Sequence, residues 1–466
     1  MPDYLKQTDA VFLRMEGTRT PMHVGLLLRF RLPARAKATF LTQLLDDLRS
    51  RQPAAPFNRR LAATRLARIA PAWEDAPGVD MDFHVRHSAL PQPGGERELG
   101  MLLSRLHSQR LDLSRPPWEL HLIEGLEQRR FAIYLKMHRS CADGAAAVAM
   151  LNQWLSEDSA DRGEPASLWE SLLDGAETEQ AAPAASGRLE RLLETADRQL
   201  AASWELSRAW RDMRRRDYHP EGGQYSARQT PRTPFNVRIS PQRRFATQVY
   251  QAARFKVLRA ATGASTTDIV LTIIGGAMRR YLMEYNALPA RSMIASVPMA
   301  LPRVDAPRGS VVADFAVPLA SDRADPRKRL ERIHAVTTDT RKAMRELSST
   351  ALEQFTLLGA LPMVLGHMSG LNARLPPLCN ISVSNIRGPG RPLFLRGAEL
   401  ESIFPMSMLF DGYALNLSLV GYADRFCLGF IGCREALPHL QRLAVYTGLA
   451  LEDLEAAVAA GQLPLP

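Results

Sequence analysis

The chain has 466 residues, 46% of them hydrophobic and 23% charged, with a net charge of +10. This length exceeds one ordinary core and suits two domains, and the composition excludes a disordered or collagen-like chain. The basic excess either serves solubility or favours polyanions such as CoA phosphates or an anionic membrane surface; with no nucleic-acid-binding motif beside it, no nucleic-acid partner is expected. Cys141, Cys379, Cys427 and Cys433 lack CxxC spacing, which fits a reducing compartment. Residues 1–6 hold no apolar core of the signal-peptide kind, and no run approaches the roughly 18 apolar residues of a spanning helix. A cytoplasmic protein, at most peripheral on a membrane, is therefore expected.

Residues 22–30 read as a buried strand, and Phe40, Leu41, Leu44, Leu45 and Leu48 then share one face of a helix. Residues 82–87 alternate as a strand does, and Leu99, Leu102, Leu103 and Leu106 repeat at helical spacing. Residues 118–123 and 131–135 read as strands joined by a turn at Gly125 to Gln128. Interleaved strands and helices predict an α/β or mixed α+β layer architecture. Residues 157–187 read as a surface connector, followed by Leu189, Leu192, Leu193, Ala196, Leu200 and Trp204 on an amphipathic helix that ends in the basic run 211–216. Packed on the body, this helix is structural; with Arg214 to Arg216 it could instead hold a membrane. A second flexible segment at 217–242 leads to the division 1–156, 157–242 and 243–466. The second half alternates again: an apolar helix over 267–281, strands at 293–299 and 311–317, helices at 326–346 and 350–369, strands at 380–385, 413–421 and 426–433, and a last helix from 436.

The stretch Lys136-Met137-His138-Arg139-Ser140-Cys141-Ala142-Asp143-Gly144 carries the most chemical information. It lies between an apolar strand and a helical pattern, where unpaired backbone amides favour negative charge. A histidine there can take a proton from a hydroxyl, and amides can hold an oxyanion. His84, His87 and His121 lie on strands without metal-ligand spacing, which leaves them core or surface roles.

The motif resembles the His-His-x-x-x-Asp-Gly of the CoA-dependent acyltransferase superfamily, and further blocks resemble the bacterial wax ester synthase/diacylglycerol acyltransferase family. These are Thr8 to Leu13 with Pro21 to Gly25, then 82–91, then Pro117-Trp118-Glu119, and Asn380 to Pro389 with its Ser384-Asn385 pair. The resemblance implies two chloramphenicol-acetyltransferase-like lobes with a tunnel between them, acyl-CoA entering as substrate, and no cofactor or metal. It implies a long-chain alcohol or diacylglycerol as acceptor, and a membrane or lipid-inclusion surface as a further partner; it leaves the oligomeric state open.

In that family the second motif histidine is the general base. Here His138 holds the first position and Arg139 the second, and arginine is not deprotonated at working pH. Two more departures go the same way: Thr267-Asp268 stands where the family has Asn-Asp, and Gly309-Ser310 where it has Gly-Asn. The resemblance assigns His138, Arg139, Asp143 and Gly144 to the catalytic loop, and Thr267, Asp268, Ser384 and Asn385 to substrate binding. Asp143 can hold the loop by pairing with Arg139, Gly144 can admit a ligand or make a tight turn, and Asn385 can position substrate or cap the turn at Gly388-Pro389. His138 is a substitute base or a satisfied core histidine. Two functions follow: an acyltransferase, impaired or not, and a catalytically silent relative that binds acyl-CoA or neutral lipid or partners an active enzyme.

Overall fold

Residues 131–137 are apolar at all positions but one, and the strand Arg130–His138 is buried from its second residue to its last. A strand covered on both faces belongs inside a layered sheet. It is central in a six-stranded sheet ordered Phe394–Leu395, Ala398–Met406, His23–Arg31, Arg130–His138, Trp118–Leu126, Val85–Ala89, antiparallel except for the last pair. Phe131, Ile133, Leu135 and Met137 enter one apolar cluster with Leu44 and Leu48 of the helix Phe40–Ser50. Ala132 and Tyr134 enter a second cluster, shared with the helix Glu96–Ser108 and the other half of the molecule.

The computed structural model describes residues 3–5, 7–63, 71–141, 150–161, 169, 230–302, 310–345 and 347–461. Asp143, Gly144 and the amphipathic helix expected over 189–204 lie outside them.

A second six-stranded sheet is ordered Ser310–Pro318, Ile294–Pro302, Ile381–Arg387, Leu415–Tyr422, Arg425–Cys433, Arg243–Gln251. Ile381–Arg387 runs parallel to both neighbours, and the other pairs are antiparallel. Its core includes residues of the helices Thr266–Glu284, Pro326–Arg345 and Leu440–Ala460. The first of these approaches so closely that a Cβ on Gly275 would lie 2.1 Å from the Leu319 carbonyl oxygen. The edge strand Arg243–Gln251 is met by the first half: Ser108 and Ser104 hydroxyls accept hydrogen bonds from the Arg243 and Phe245 amides at 2.8 and 3.0 Å. An otherwise open edge is thereby paired.

Sequence reading does not anticipate the helices Gln7–Met15 and Ala252–Thr262 or the strand Arg243–Gln251, and two further differences concern the first sheet. The strand expected over 82–87 begins only at Val85, because Asp80 caps a helical turn Met81–His84 by accepting from the Phe83 amide at 3.1 Å. The strand Ala398–Met406, which periodicity does not reveal, comes from the second half yet completes the first sheet beside His23–Arg31. Its Glu401 is 4% exposed and is held by Arg31 Nε at 2.6 Å and Arg130 Nε at 2.5 Å, so one carboxylate joins three neighbouring strands.

Candidate active site

His138 is the last residue of its strand and only 1% exposed. The His138 amide donates to Pro117 O at 2.9 Å and the Arg139 amide to Met22 O at 2.8 Å, which fixes the strand end between two neighbours. Nδ1 lies 2.6 Å from the Ser140 hydroxyl and accepts from the Ser140 amide at 3.2 Å. An Nδ1 that accepts places the neutral ring's proton on Nε2, which faces Glu16 Oε2 at 3.8 Å. Glu16 is held in turn by the Met22 amide and by Arg110 Nε at 2.8 Å. Burial, aided by the charge of Arg139, lowers the His138 pKa to about 4, so the ring is neutral near pH 7. The Arg139 guanidinium lies 5.0 Å from the ring centre of Phe12 on the helix Gln7–Met15, a cation–π contact. Burial pushes the Cys141 thiol up to about 12, so it supplies no thiolate.

Polar groups lie under the motif. Lys136 is fully buried, 3.0 Å from Glu119 Oε2, and donates to Leu106 O and Gln109 O at 3.2 Å each. Burial works against the Glu119 carboxylate, but the His121 hydrogen bond and the Lys136 charge outweigh it and hold the pKa at about 2. His107 Nδ1 lies 2.7 Å from the Tyr134 hydroxyl, and its Nε2 lies 3.3 Å from Ser407 O. Burial, then the charges of Arg243 and Lys136, lowers its pKa to about 3.

Thr267 and Asn385 come together: Asn385 Nδ2 donates to Thr267 Oγ1 at 3.1 Å, joining the end of the strand Ile381–Arg387 to the start of the helix Thr266–Glu284. Asp268 beside them is fully buried and occupied. It accepts from the Ser265 amide at 2.8 Å and from the Thr337 hydroxyl at 2.6 Å, and lies 2.9 Å from His334 Nδ1. Burial raises its pKa, but the bonds from His334, Thr337 and Ser265 prevail and leave it below the ordinary carboxylate value. Asp268 thus completes the capping box begun by Ser265, the N-cap of its helix, and ties that helix to Pro326–Arg345. Ser384 donates to the Ser418 hydroxyl at 2.9 Å, which donates to Asn416 Oδ1 at 3.2 Å. His84 is buried against Trp118, with Nδ1 2.8 Å from Trp118 O.

Among the described residues no group of His, Cys, Asp or Glu is arranged for a metal ion, and no single helix is long and apolar enough to cross a membrane. Family models decide the kinship. The wax ester synthase/diacylglycerol acyltransferase catalytic domain matches residues 5–270, and the C-terminal domain of the same family matches residues 309–455. The chain belongs to the wax ester synthase/diacylglycerol acyltransferase family. Its relatives match over their whole length. A Mycobacterium tuberculosis protein named for diacylglycerol O-acyltransferase activity is 40% identical over 97% of this chain and 99% of its own. The O-acyltransferase WSD of Acinetobacter baylyi is 32% identical over 98% of this chain and 97% of its own. The solved wax ester synthase/diacylglycerol acyltransferase of Marinobacter aquaeolei superposes with a TM-score of 0.78 at 33% identity, covering 98% of this chain and 100% of that one. The mixed α+β fold is that of the family.

Glu16, Phe12 and Ser140 are the site residues that sequence reading does not single out. Glu16 and Phe12 meet the wax ester synthase-type motif only through the fold. Ser140 stands inside the motif, where its hydroxyl beside His138 is the available signal.

Proposed function

We propose that the protein is an acyl-CoA-dependent O-acyltransferase that transfers a fatty acyl group to a long-chain alcohol or diacylglycerol. The observation that carries this reading is the family match along the whole chain, with relatives named for these activities. On this reading a tunnel between lobes 1–156 and 243–466 brings acyl-CoA and the acceptor to the motif. The acceptor oxygen attacks the thioester carbon, the C–S bond breaks, and the hydroxyl proton leaves as CoA thiol forms. Asp143 and Gly144 shape the loop, Thr267 and Asn385 support the acceptor side, and acyl-CoA is a substrate with no separate cofactor. The protein works in the cytoplasm, at a membrane or lipid-inclusion surface.

Arg139 replaces the second motif histidine, so the proton goes to His138 or to water. The same residue favours the alternative, a silent relative that binds acyl-CoA or neutral lipid. Losing a general base costs on the order of 10²–10⁴ in rate. The test is CoA release from palmitoyl-CoA with hexadecanol or diolein, unmodified chain against Arg139→His. Slow but acceptor-dependent release, raised by Arg139→His, is expected. Equal rates would move the base elsewhere, with His138→Ala as the next variant. No acceptor-dependent release from either protein would leave the silent reading.

A further inference from the structure

The helix Ser349–Met368 has a single acidic residue, Glu353, no Lys or Arg, and apolar residues on all sides. Such a helix is normally buried in a core or in lipid. Its last turns instead reach the surface: Leu365 and Met368 are 56% and 58% exposed, and Leu371 and Leu375 just beyond are 43% and 45% exposed. Scattered exposed apolar residues are ordinary; a contiguous group is not. These residues are held together. After Gly370, with φ of +71°, the chain doubles back, and the Leu371 and Asn372 amides donate to Gly366 O at 2.8 and 3.0 Å. Asn372 Nδ2 donates to Met363 O at 2.8 Å, and Arg232 donates to the carbonyls of Ala373, Arg374 and Leu375 at 2.9 Å each. The result is a braced apolar platform.

Its charge is one-sided. Residues 354–398 contain no Asp or Glu. Arg374 on the platform and Arg238 beside it are exposed, with no carboxylate partner among the described residues. Arg238 follows Val237, whose carbonyl accepts from Gly412, and a Cβ on Gly412 would lie 3.3 Å from Asn372 O. The inner side of the platform meets the helix Gln7–Met15, which lies between it and the motif: His367 Nε2 is 3.2 Å from Met15 O, in the helix that carries Phe12 and just before Glu16.

We infer that Leu365, Met368, Leu371 and Leu375, with Arg374 and Arg238 at the rim, seat the protein on an anionic lipid surface. A protein interface would need roughly 20–30 residues on this side. A few inserted side chains with basic neighbours are enough for a bilayer. Binding itself is independent of turnover. That the seat also delivers a lipid acceptor toward the motif rests on the acyltransferase reading.

The test is co-sedimentation of the full chain with phosphatidylcholine vesicles, with and without phosphatidylglycerol. The unmodified protein is expected to pellet with the anionic vesicles. Met368→Ser/Leu371→Ser should lower the partition constant by about tenfold or more, and Arg374→Glu should lower it on anionic vesicles and much less on neutral ones. If the double variant melts at a lower temperature, Leu375→Ser alone serves. Absence of vesicle binding, or unchanged binding by the variants, overturns the assignment. So does a dimer on gel filtration that the double variant dissolves without any vesicle binding. A protein that fails the CoA-release assay and still pellets separates this inference from the catalytic one.

Discussion

Acid should begin to destabilise this protein through its histidines above the usual carboxylate range. His138 and His107 are 1% and 2% exposed, and burial holds them neutral down to about pH 4 and about pH 3, against an ordinary value of 6.5. The unfolded chain therefore binds more protons than the native one between those limits, and stability falls as pH drops. The loss begins near pH 6.5 and levels off only below the native values. At about pH 5.5 each of the two costs on the order of 1 kcal/mol relative to about pH 7.5, together a few kcal/mol of a total of roughly 5–15 kcal/mol. His23, His84 and His121, also lowered by burial, add in the same direction. Urea unfolding at the two pH values measures the sum, and His107→Gln should remove on the order of 1 kcal/mol of the pH-dependent part. A stability unchanged between about pH 7.5 and about pH 5.5, or a pH slope that His107→Gln leaves intact, would refute the reasoning.

Lys136→Met should destabilise by up to about 3 kcal/mol, because it removes the buried cation 3.0 Å from Glu119 and leaves that carboxylate only the partly exposed Arg86 at 3.4 Å; thermal melting reads it, and Lys136→Met/Glu119→Leu should recover much of the loss. Gly275→Ala places a methyl where the Leu319 carbonyl stands at 2.1 Å, so the helix Thr266–Glu284 must shift; a loss of about 1–3 kcal/mol in urea titration is expected, and a neutral outcome would show that the helix does not pack so closely.

The runs at 22–30 and 131–135 are legible because strands covered on both faces are written as nearly continuous hydrophobic stretches, and 118–123 because it alternates with a period of two. The strand Ala398–Met406 is not, since Glu399, Glu401 and Pro405 give it the look of a loop. Its burial depends on Arg31 and Arg130, which belong to distant parts of the chain. The same limit applies at the site. The motif identifies His138, but nothing local predicts that Glu16 faces it, or that Lys136 beneath finds Glu119, Leu106 and Gln109. Thr267 and Asn385 entered separately through the resemblance, and the fold joins them by one hydrogen bond. Asp268 shows the opposite: it stands beside them, yet its oxygens are taken by Ser265, Thr337 and His334.

The placement of Ala398–Met406 has a consequence for biosynthesis. While the ribosome is still making the middle of the chain, His23–Arg31 waits with a bare flank of amides and carbonyls, the kind of surface that captures stray strands from other nascent chains. The first half therefore cannot finish folding as it emerges. A gene fragment ending before residue 398 should yield aggregates, and supplying the missing half in trans, as a second polypeptide, should restore soluble material.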